Sequence, residues 1–289
     1  MHLVTFMHEG RPTVGVADEA LSRVAPLPVD IALDMLTLIA NYDRVKSRIA
    51  SAAGTALPMA GIQLLAPIPR PARNIFCVGK NYHEHAKEFA GSGFDASAKE
   101  VVPEFPVIFT KPSSTVIGPA AAIPQHLDPT DSTDYEGELT VIIGRGGRGI
   151  RKQDALAHVF GYTIINDVTA RTLQHQHRQW FIGKSIDGFC PMGPAIVTAD
   201  AMPDPTRMHL KTFVNGELRQ DALVADLVFD IPTLIETLSA GITLEPGDVI
   251  ATGTPAGVGL GFTPPRFLKK GDNVAIEVSG IGRLENPVG

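Results

Sequence analysis

Glycine and proline interrupt this chain more often than they interrupt an average protein. Together they occupy 51 of its 289 positions, as 28 glycines and 23 prolines, whereas an average composition gives roughly 12%. Glycine weakens the interior of helices and strands, and proline removes a backbone donor. The sequence therefore predicts many turns and short strands, and no repeated period or low-complexity tract accompanies them.

Apolar runs with strand character outnumber helical patterns. Strands are predicted at NIFCVG, FPVIFTKP, ELTVIIG, GYTIIND, AIVT, MHLKTFVNG, DVIATG and NVAIEVSG. Helices are predicted at residues 31–49, with a break or bend inside, in KNYHEHAKEFA, and at residues 152–159 and 231–240. Because strands alternate with helices only occasionally, the pattern favours a strand-rich α+β fold with mixed or antiparallel sheets, sandwich- or barrel-like.

Prolines at 67, 69 and 71 mark a change of character along the chain. Before them, LVTF and VGVA flank a turn near Gly10 and predict two paired strands, followed by the helix within residues 31–49. Prolines so spaced keep a backbone extended and deny it ladder donors. We therefore predict a small N-terminal α/β domain over residues 1–69 and a larger domain over residues 70–289.

Composition excludes several classes of protein. The net charge is −6, and no clustered basic face is evident, which argues against nucleic acid as a partner. Cys77 and Cys190 are the only cysteines and lie in apolar strings, which excludes a disulfide framework and a cysteine-based zinc site. No apolar run reaches about 18 residues, and the first residues lack the pattern of a secretory signal. We expect a cytoplasmic protein that does not contact membranes.

The sharpest local feature is a pair of glutamates at the entrance of an apolar strand. In DYEGELTVIIG, Glu136 and Glu138 stand two apart and share one face of the strand. Asp167 ends the strand GYTIIND, so three carboxylates converge if the two strand ends are neighbours. All-oxygen ligation would then select Mg²⁺, Mn²⁺ or Ca²⁺. Equally, the glutamates could face solvent while Asp167 caps a following helix.

A second candidate pair lies in GKNYHEHAKEF. His85 and Glu88 are three apart, so on a helix they share a face and can hydrogen-bond. A carboxylate held by an imidazole can serve as a general base on water. The alternative is an ordinary charged helix surface, on which Glu84 and Glu88 pair with Lys87 or Lys80.

Three other stretches carry weaker signals. His175 and His177 are two apart and diverge on a helix, which favours a surface or packing role. The stretch ATGTPAGVG lacks the arrangement of a phosphate loop, so it predicts a turn that offers Thr252 or Thr254 and backbone N–H groups to a small carboxylate. The stretch GRGGRG is predicted to be a turn after a strand.

Seven stretches in order resemble motifs of the fumarylacetoacetate hydrolase family. They are VGKNYHEHAKE, PVIFTKPSS, DYEGELTVIIG, NDVTARTLQ, GKSIDGFCPMGP, VNGELRQ and ATGTPAGVG. The resemblance extends from about Arg73 to the C-terminus, and the N-terminal unit looks like the one carried by longer bacterial members. It implies a mixed β-sandwich roll and a homodimer, in agreement with the strand-rich pattern.

The resemblance also implies a role for individual residues. It implies Glu136, Glu138 and Asp167 as ligands of Mg²⁺ or Mn²⁺, with Ca²⁺ as an alternative, and His85 with Glu88 as a dyad that activates water. It further implies that Lys184 and Gln174 lie near the reacting oxygen, and that Arg171, Thr254 and Lys184 contact substrate or support the site.

The implied reaction is metal-dependent hydrolysis of a C–C bond in an acylpyruvate or related 2,4-dioxo acid. Alternatives on the same site are oxaloacetate decarboxylation, isomerisation of 5-carboxymethyl-2-hydroxymuconate and hydration of a 2-oxo acid. A catalytically silent protein that binds metal or a small acid is a further alternative. The long segment between Glu88 and Pro106 is expected to form a mobile lid, and its length leaves the substrate open.

Overall fold

The computed structural model describes residues 1–91 and 101–289. The segment expected to form a lid lies largely outside the described residues. The described helices are α1 (Met35–Ala52), α2 (His83–Gly91), α3 (Arg171–Gln176), α4 (Phe181–Lys184) and α5 (Ile231–Ser239).

Strands make up most of the regular structure. The first nine are β1 (His2–His8), β2 (Arg11–Ala17), β3 (Arg23–Pro26), β4 (Leu57–Pro58), β5 (Leu64–Leu65), β6 (Ile75–Gly79), β7 (Val107–Lys111), β8 (Val116–Ile117) and β9 (Thr133–Asp134). They are followed by β10 (Gly137–Ile143), β11 (Val159–Asn166), β12 (Thr169–Ala170), β13 (Cys190–Thr198), β14 (His209–Val214), β15 (Glu217–Leu223), β16 (Val249–Ala251), β17 (Asn273–Val278) and β18 (Gly282–Pro287).

Two main sheets organise these strands. The large sheet has the order β4-β3-β2-β1-β13-β11-β10-β16-β6-β7, with β5 beside β1 and β8 beside β13. Most of its pairs are antiparallel, but β16 with β6 and β13 with β8 are parallel. A smaller antiparallel sheet has the order β15-β14-β17-β18. The expected strand-rich fold with mixed sheets is confirmed, and it is not a barrel, because the path of the large sheet ends at β4 and β7.

The N-terminal strands belong to the large sheet. Strand β1 pairs with β13, with His2 opposite Val197 and Leu3 opposite Ile196. The first strands of the chain therefore continue the sheet that also contains β10 and β11. The division of the chain at residues 69 and 70 stays a prediction.

The core explains why the central strands are apolar on both faces. Along β10, alternate side chains point to opposite faces of the sheet. Leu139 and Val141 belong to the apolar cluster that includes Leu210 and Ile276 of the smaller sheet. Ile142 belongs to the cluster on the opposite face, which also contains residues of α1. Packing on both faces fixes the position of β10. The candidate site lies at one end of β10 and β11.

Two predicted helices differ in detail. Helix α1 begins at Met35 rather than at residue 31, because Asp34 caps it by accepting the Thr37 N–H at 2.7 Å. The helix predicted at residues 152–159 is a 3-10 helix, Lys152–His158. In the part of the chain that the structure describes, no helix is long and apolar enough to cross a membrane.

Replacing Asp34 by Ala should remove the cap of α1 and lower the free energy of unfolding by about 1 kcal/mol. Asp43→Ala is the matched control on the same helix, because its side chain is 96% exposed and lies 3.8 Å from Lys46. Urea unfolding of both variants measures the difference. Equal losses for the two variants would contradict the capping role.

Candidate active site

The antiparallel pairing of β10 and β11 brings three carboxylates together. Gly137 lies opposite Asn166 in the register, so Glu136 just before β10 adjoins Asp167 just after β11. The Asp167 N–H donates to the Glu136 carbonyl at 2.8 Å. Carboxylate oxygens of Glu136, Glu138 and Asp167 lie within 4.8 Å of one another. The convergence that the sequence suggested is therefore present.

All three carboxylates are buried, which excludes the alternative of a solvated strand face. Glu136 is 5% exposed, Glu138 1% and Asp167 0%. The alternative role of Asp167 as a helix cap is also wrong, because α3 begins later and Ala170 is its N-cap residue. Buried charges of one sign are costly unless cations compensate them.

Three buried cations lie against this cluster. The Lys184 ammonium donates to Glu136 Oε2 at 2.7 Å and to Asp167 Oδ2 at 2.8 Å. Lys111 Nζ lies 2.8 Å from Asp167 Oδ1, and Arg171 Nη1 lies 2.7 Å from Glu136 Oε1. Glu136 and Asp167 are thus each paired with two cations.

Glu138 has a different environment. Its Oε2 accepts the Gly253 N–H at 2.8 Å. Burial, with the nearby charges of Asp167 and Glu136, raises the pKa of Glu138 well above its ordinary value. Burial also acts on Glu136, but the Lys184 and Arg171 charges outweigh it and lower the pKa of Glu136 to about 2. Of the three carboxylates, Glu138 is therefore the one whose charged form is least compensated by the protein.

The turn after β16 supplies the Gly253 donor, and only glycine fits there. Gly253 has a φ of +104°, and a Cβ atom at this position would lie 2.7 Å from Asn81 Cβ. The sequence predicted that ATGTPAGVG offers N–H groups to a small carboxylate. In the structure one such group goes to the carboxylate of Glu138, a residue of the chain itself.

These residues fit a hard divalent cation. Three oxygen donors from separate carboxylates converge, all of them buried. One of them, Glu138, has a raised pKa that a neighbouring cation would lower again. Oxygen ligands of this kind suit Mg²⁺ or Mn²⁺.

The predicted dyad is assembled on α2. His85 Nδ1 lies 3.1 Å from Glu88 Oε2, and His85 is 5% exposed. Glu88 Oε1 accepts the Gly257 N–H at 3.0 Å, so this carboxylate faces the loop after β16 and not a solvated lysine. Glu84 instead pairs with Lys87 at 2.7 Å on the exposed side of α2.

Polar and aromatic contacts hold α2 against the site. The Asn81 side chain, just before the helix, donates to the Thr252 carbonyl at 2.7 Å and accepts the Phe229 N–H at 2.8 Å. Phe89 packs edge-on against Trp180, with ring centroids 5.8 Å apart. The helix that carries the dyad is therefore fixed at both of its ends.

A narrow pocket of about 20 Å³ lies between His85 of the dyad and Glu136 of the carboxylate cluster. Six predicted residues line it, namely His85, Glu136, Arg171, Gln174, Lys184 and Thr254. Arg171 Nη1 donates to Gln174 Oε1 at 3.2 Å, and the buried Arg171 Nη2 has no hydrogen-bond partner among the described residues. Thr254 donates to the Gly137 carbonyl at 2.9 Å, so its hydroxyl also supports β10.

Sequence reasoning missed three buried charged residues in or beside the site. Lys111 ends strand β7 and is fully buried, and a lysine that closes the apolar run PVIFT was the signal. Lys80 lines the pocket in a left-handed backbone conformation, with a φ of +56°. Asp134, two residues before Glu136, is also fully buried. His175 and His177 are exposed, in agreement with the surface interpretation.

Comparisons with known proteins converge on one family. The model of the fumarylacetoacetate (FAA) hydrolase C-terminal family matches residues 74–289. Oxaloacetate tautomerase YisK of Bacillus subtilis is 54% identical over 228 residues, which cover 79% of this chain and 73% of that protein. The fumarylacetoacetate hydrolase structure from Exiguobacterium antarcticum is 44% identical, with a TM-score of 0.84 and coverage of 100% and 99%. Maleylpyruvate hydrolase from Sphingobium sp. SYK-6, in complex with manganese(II) and pyruvate, is 31% identical, with a TM-score of 0.80 and coverage of 100% and 98%.

Metal binding should strengthen as the pH rises through the raised pKa of Glu138, because the cation must displace a proton there. In the metal-free protein this raised pKa favours the folded state at low pH, and the contribution is lost as the pH rises through the folded-state pKa. The increase in Tm caused by Mn²⁺ should therefore grow with pH.

Glu138→Gln should lower Mn²⁺ affinity by more than about tenfold and flatten this pH dependence. Calorimetric titration and thermal unfolding at several pH values measure both effects. Glu84→Gln on the exposed side of α2 is the control. Unchanged affinity in Glu138→Gln would refute the assignment of this ligand.

Gly261→Ala should disturb the dyad without touching the metal cluster. A Cβ atom at Gly261 would overlap Glu88 Oε1, so the Glu88 carboxylate must shift from the position in which it contacts His85. We expect turnover to fall by about tenfold or more while Mn²⁺ affinity stays unchanged. Gly271→Ala cannot serve as a control, since Gly271 has a φ of +93°, whereas Gly241→Ala meets open space and can.

Proposed function

Because the chain belongs to the fumarylacetoacetate hydrolase family, we propose that it is a divalent-metal-dependent enzyme that interconverts the enol and keto forms of oxaloacetate or a similar 2-oxo acid. The observation that carries this proposal is the meeting of three buried carboxylates and an imidazole–carboxylate dyad at one small pocket. The relative of 54% identity is named for oxaloacetate tautomerisation, and for this reason we propose oxaloacetate as the first substrate.

The charges around the pocket suit an anionic 2-oxo acid. Arg171 and Lys184 line it, and Arg171 Nη2 is a buried donor that could give a hydrogen bond to a substrate oxygen. A buried donor without a partner costs free energy, and a bound carboxylate would satisfy it. The maleylpyruvate hydrolase neighbour is in complex with pyruvate, a 2-oxo acid.

The proposed ligands of the cation are Glu136, Glu138 and Asp167, with Mg²⁺ or Mn²⁺ as the ion. The ion would supply a Lewis acid that stabilises negative charge on the 2-oxo oxygen.

The chain's own residues would move the proton. In the enol-to-keto direction the enol hydroxyl loses its proton, C3 gains one, and the double bond shifts from C2–C3 to C2–O. His85 lines the pocket and is the proposed acid and base at C3. Glu88 would orient the imidazole through its 3.1 Å contact with Nδ1 and stabilise its protonated form. Lys184 and Gln174 would donate to the developing oxyanion.

Hydrolysis of an acylpyruvate is the second candidate, and two observations favour it. The fumarylacetoacetate hydrolase structure matches the whole chain, and a dyad of this geometry can activate water. The water oxygen would bond to C4, the C3–C4 bond would break, and C3 would take up a proton to give pyruvate and a carboxylic acid.

Other earlier alternatives share parts of this site. Oxaloacetate decarboxylation uses the same substrate but breaks a different bond, and isomerisation of a muconate-type acid also moves a proton. A silent binding protein would need no dyad. The homodimer, the cytoplasmic location and the division into two domains stay predictions.

A direct assay starts from the enol form of oxaloacetate. Protein stripped with a chelator and resupplied with Mg²⁺ or Mn²⁺ should accelerate the loss of enol absorbance, and the stripped protein should not. Pyruvate release from oxaloacetate and from a panel of acylpyruvates is followed in parallel. Cleavage of an acylpyruvate without acceleration of enol loss would replace the first candidate by the second.

Glu88→Gln should lower turnover by about 100-fold or more, because the imidazole loses its charged partner. Mn²⁺ affinity should stay at the wild-type value, since Glu88 is not among the clustered carboxylates. Stopped-flow turnover and calorimetric titration measure the two quantities. Near wild-type turnover would remove the dyad from the proposal.

A further inference from the structure

We propose that Asp134 is a positioning residue that couples the placement of the dyad glutamate Glu88 to that of Arg171. The inference rests on the proposed role of Arg171 in binding a 2-oxo acid. Asp134 is not among the described residues that line the pocket. It would therefore act only through the groups that donate hydrogen bonds to it.

The Asp134 carboxylate lies between two parts of the site. Its Oδ1 accepts the Gly259 N–H at 2.7 Å, and its Oδ2 accepts the Leu260 N–H at 3.1 Å. The same Oδ2 accepts Arg171 Nε at 2.8 Å. One fully buried anion thus fixes both a loop and a guanidinium.

The same loop, residues 257–261, also contacts Glu88 of the dyad. The Gly257 N–H donates to Glu88 Oε1 at 3.0 Å, and Gly261 packs so closely on Glu88 that a Cβ atom would overlap it. Leu260 belongs to the apolar cluster that contains Phe89 and Trp180. A shift of the loop would therefore move Glu88 and the packing around Trp180 together.

Arg171 carries the second half of the coupling. Its Nη1 lies 2.7 Å from Glu136 Oε1, and its unpartnered Nη2 belongs to a pocket-lining side chain. The Nε contact with Asp134 fixes the rotation of the guanidinium, so it also fixes the direction in which Nη2 points. Glu88 and Arg171 are consequently linked through the backbone of residues 257–260 and the Asp134 carboxylate.

Asp134→Asn tests the first half of this account. An asparagine retains one acceptor oxygen and replaces the other by a donor, so either the Gly259 N–H, or Arg171 Nε together with the Leu260 N–H, loses its acceptor. With Mn²⁺-loaded protein, pyruvate titration should show about a tenfold loss of affinity. Mn²⁺ affinity should change by less than about threefold, because the three clustered carboxylates are intact. Fluorescence of Trp180, the only tryptophan, reports the loop and α2 during the titration.

Asp248→Asn is the matched control. Asp248 is also a buried aspartate, 6% exposed, and it likewise accepts a loop N–H and a guanidinium, from Glu245 at 2.7 Å and from Arg73 Nε at 2.9 Å, but neither Glu245 nor Arg73 lines the pocket. We expect it to lower Tm while pyruvate affinity per folded protein stays unchanged. Equal loss of pyruvate affinity in the two variants would reduce Asp134 to a structural residue and overturn the proposal.

A double-mutant cycle tests the coupling itself. Gly261→Ala acts on the dyad side of the loop, and it should weaken pyruvate binding in the wild-type background by disturbing Arg171 through Asp134. In the Asp134→Asn background the same substitution should have little further effect. Fold-changes that multiply would show that the two halves are independent and would overturn the proposal.

Hydrogen exchange separates this inference from the proposed function. Exchange in α2 and in residues 257–261 should increase in Asp134→Asn and not in Asp248→Asn, whether or not pyruvate binds. Failure of the wild-type protein to bind pyruvate contradicts the proposed substrate class. Unchanged exchange in Asp134→Asn contradicts the coupling.

Discussion

The compensation of three buried carboxylates is the constraint on which the site depends. Glu136, Glu138 and Asp167 meet because antiparallel β10 and β11 end side by side, and each of the three is at most 5% exposed. Such a cluster is unfavourable in a low-dielectric interior without positive charge nearby. Lys184, Lys111 and Arg171 pair with Glu136 and Asp167, whereas the charged form of Glu138 is the least compensated and would be stabilised by the proposed cation.

The surrounding strands, helices and loops carry the groups that compensate these carboxylates. Lys111 lies at the end of strand β7 and contacts Asp167. Lys184 lies at the end of α4, and its backbone carbonyl accepts a hydrogen bond from Lys111. The loop after β16 donates Gly253 N–H to Glu138 and, further along, Gly257 N–H to Glu88. One loop therefore contacts both the carboxylate cluster and the dyad, so the residues proposed to move the proton lie beside the proposed cation site.

Much of this arrangement could be predicted from local sequence pattern. The apolar runs around Glu136 and Asp167 identified β10 and β11, and the spacing of His85 and Glu88 placed both on one helical face. The partners of these residues could not be predicted, because they come from distant parts of the chain. Lys111 is 56 residues from Asp167, and no periodicity reveals such contacts. The start of α1 was missed because the Asp34 cap outweighed the apolar pattern before it.

The central claim is that one divalent cation binds at the three carboxylates and that a 2-oxo acid binds beside it. Electron paramagnetic resonance of Mn²⁺ added to metal-free protein tests both parts in one titration. We predict one bound Mn²⁺ per chain and a change in its spectrum when pyruvate is added. Absence of bound Mn²⁺, or a spectrum that pyruvate leaves unchanged at saturating concentration, would contradict it.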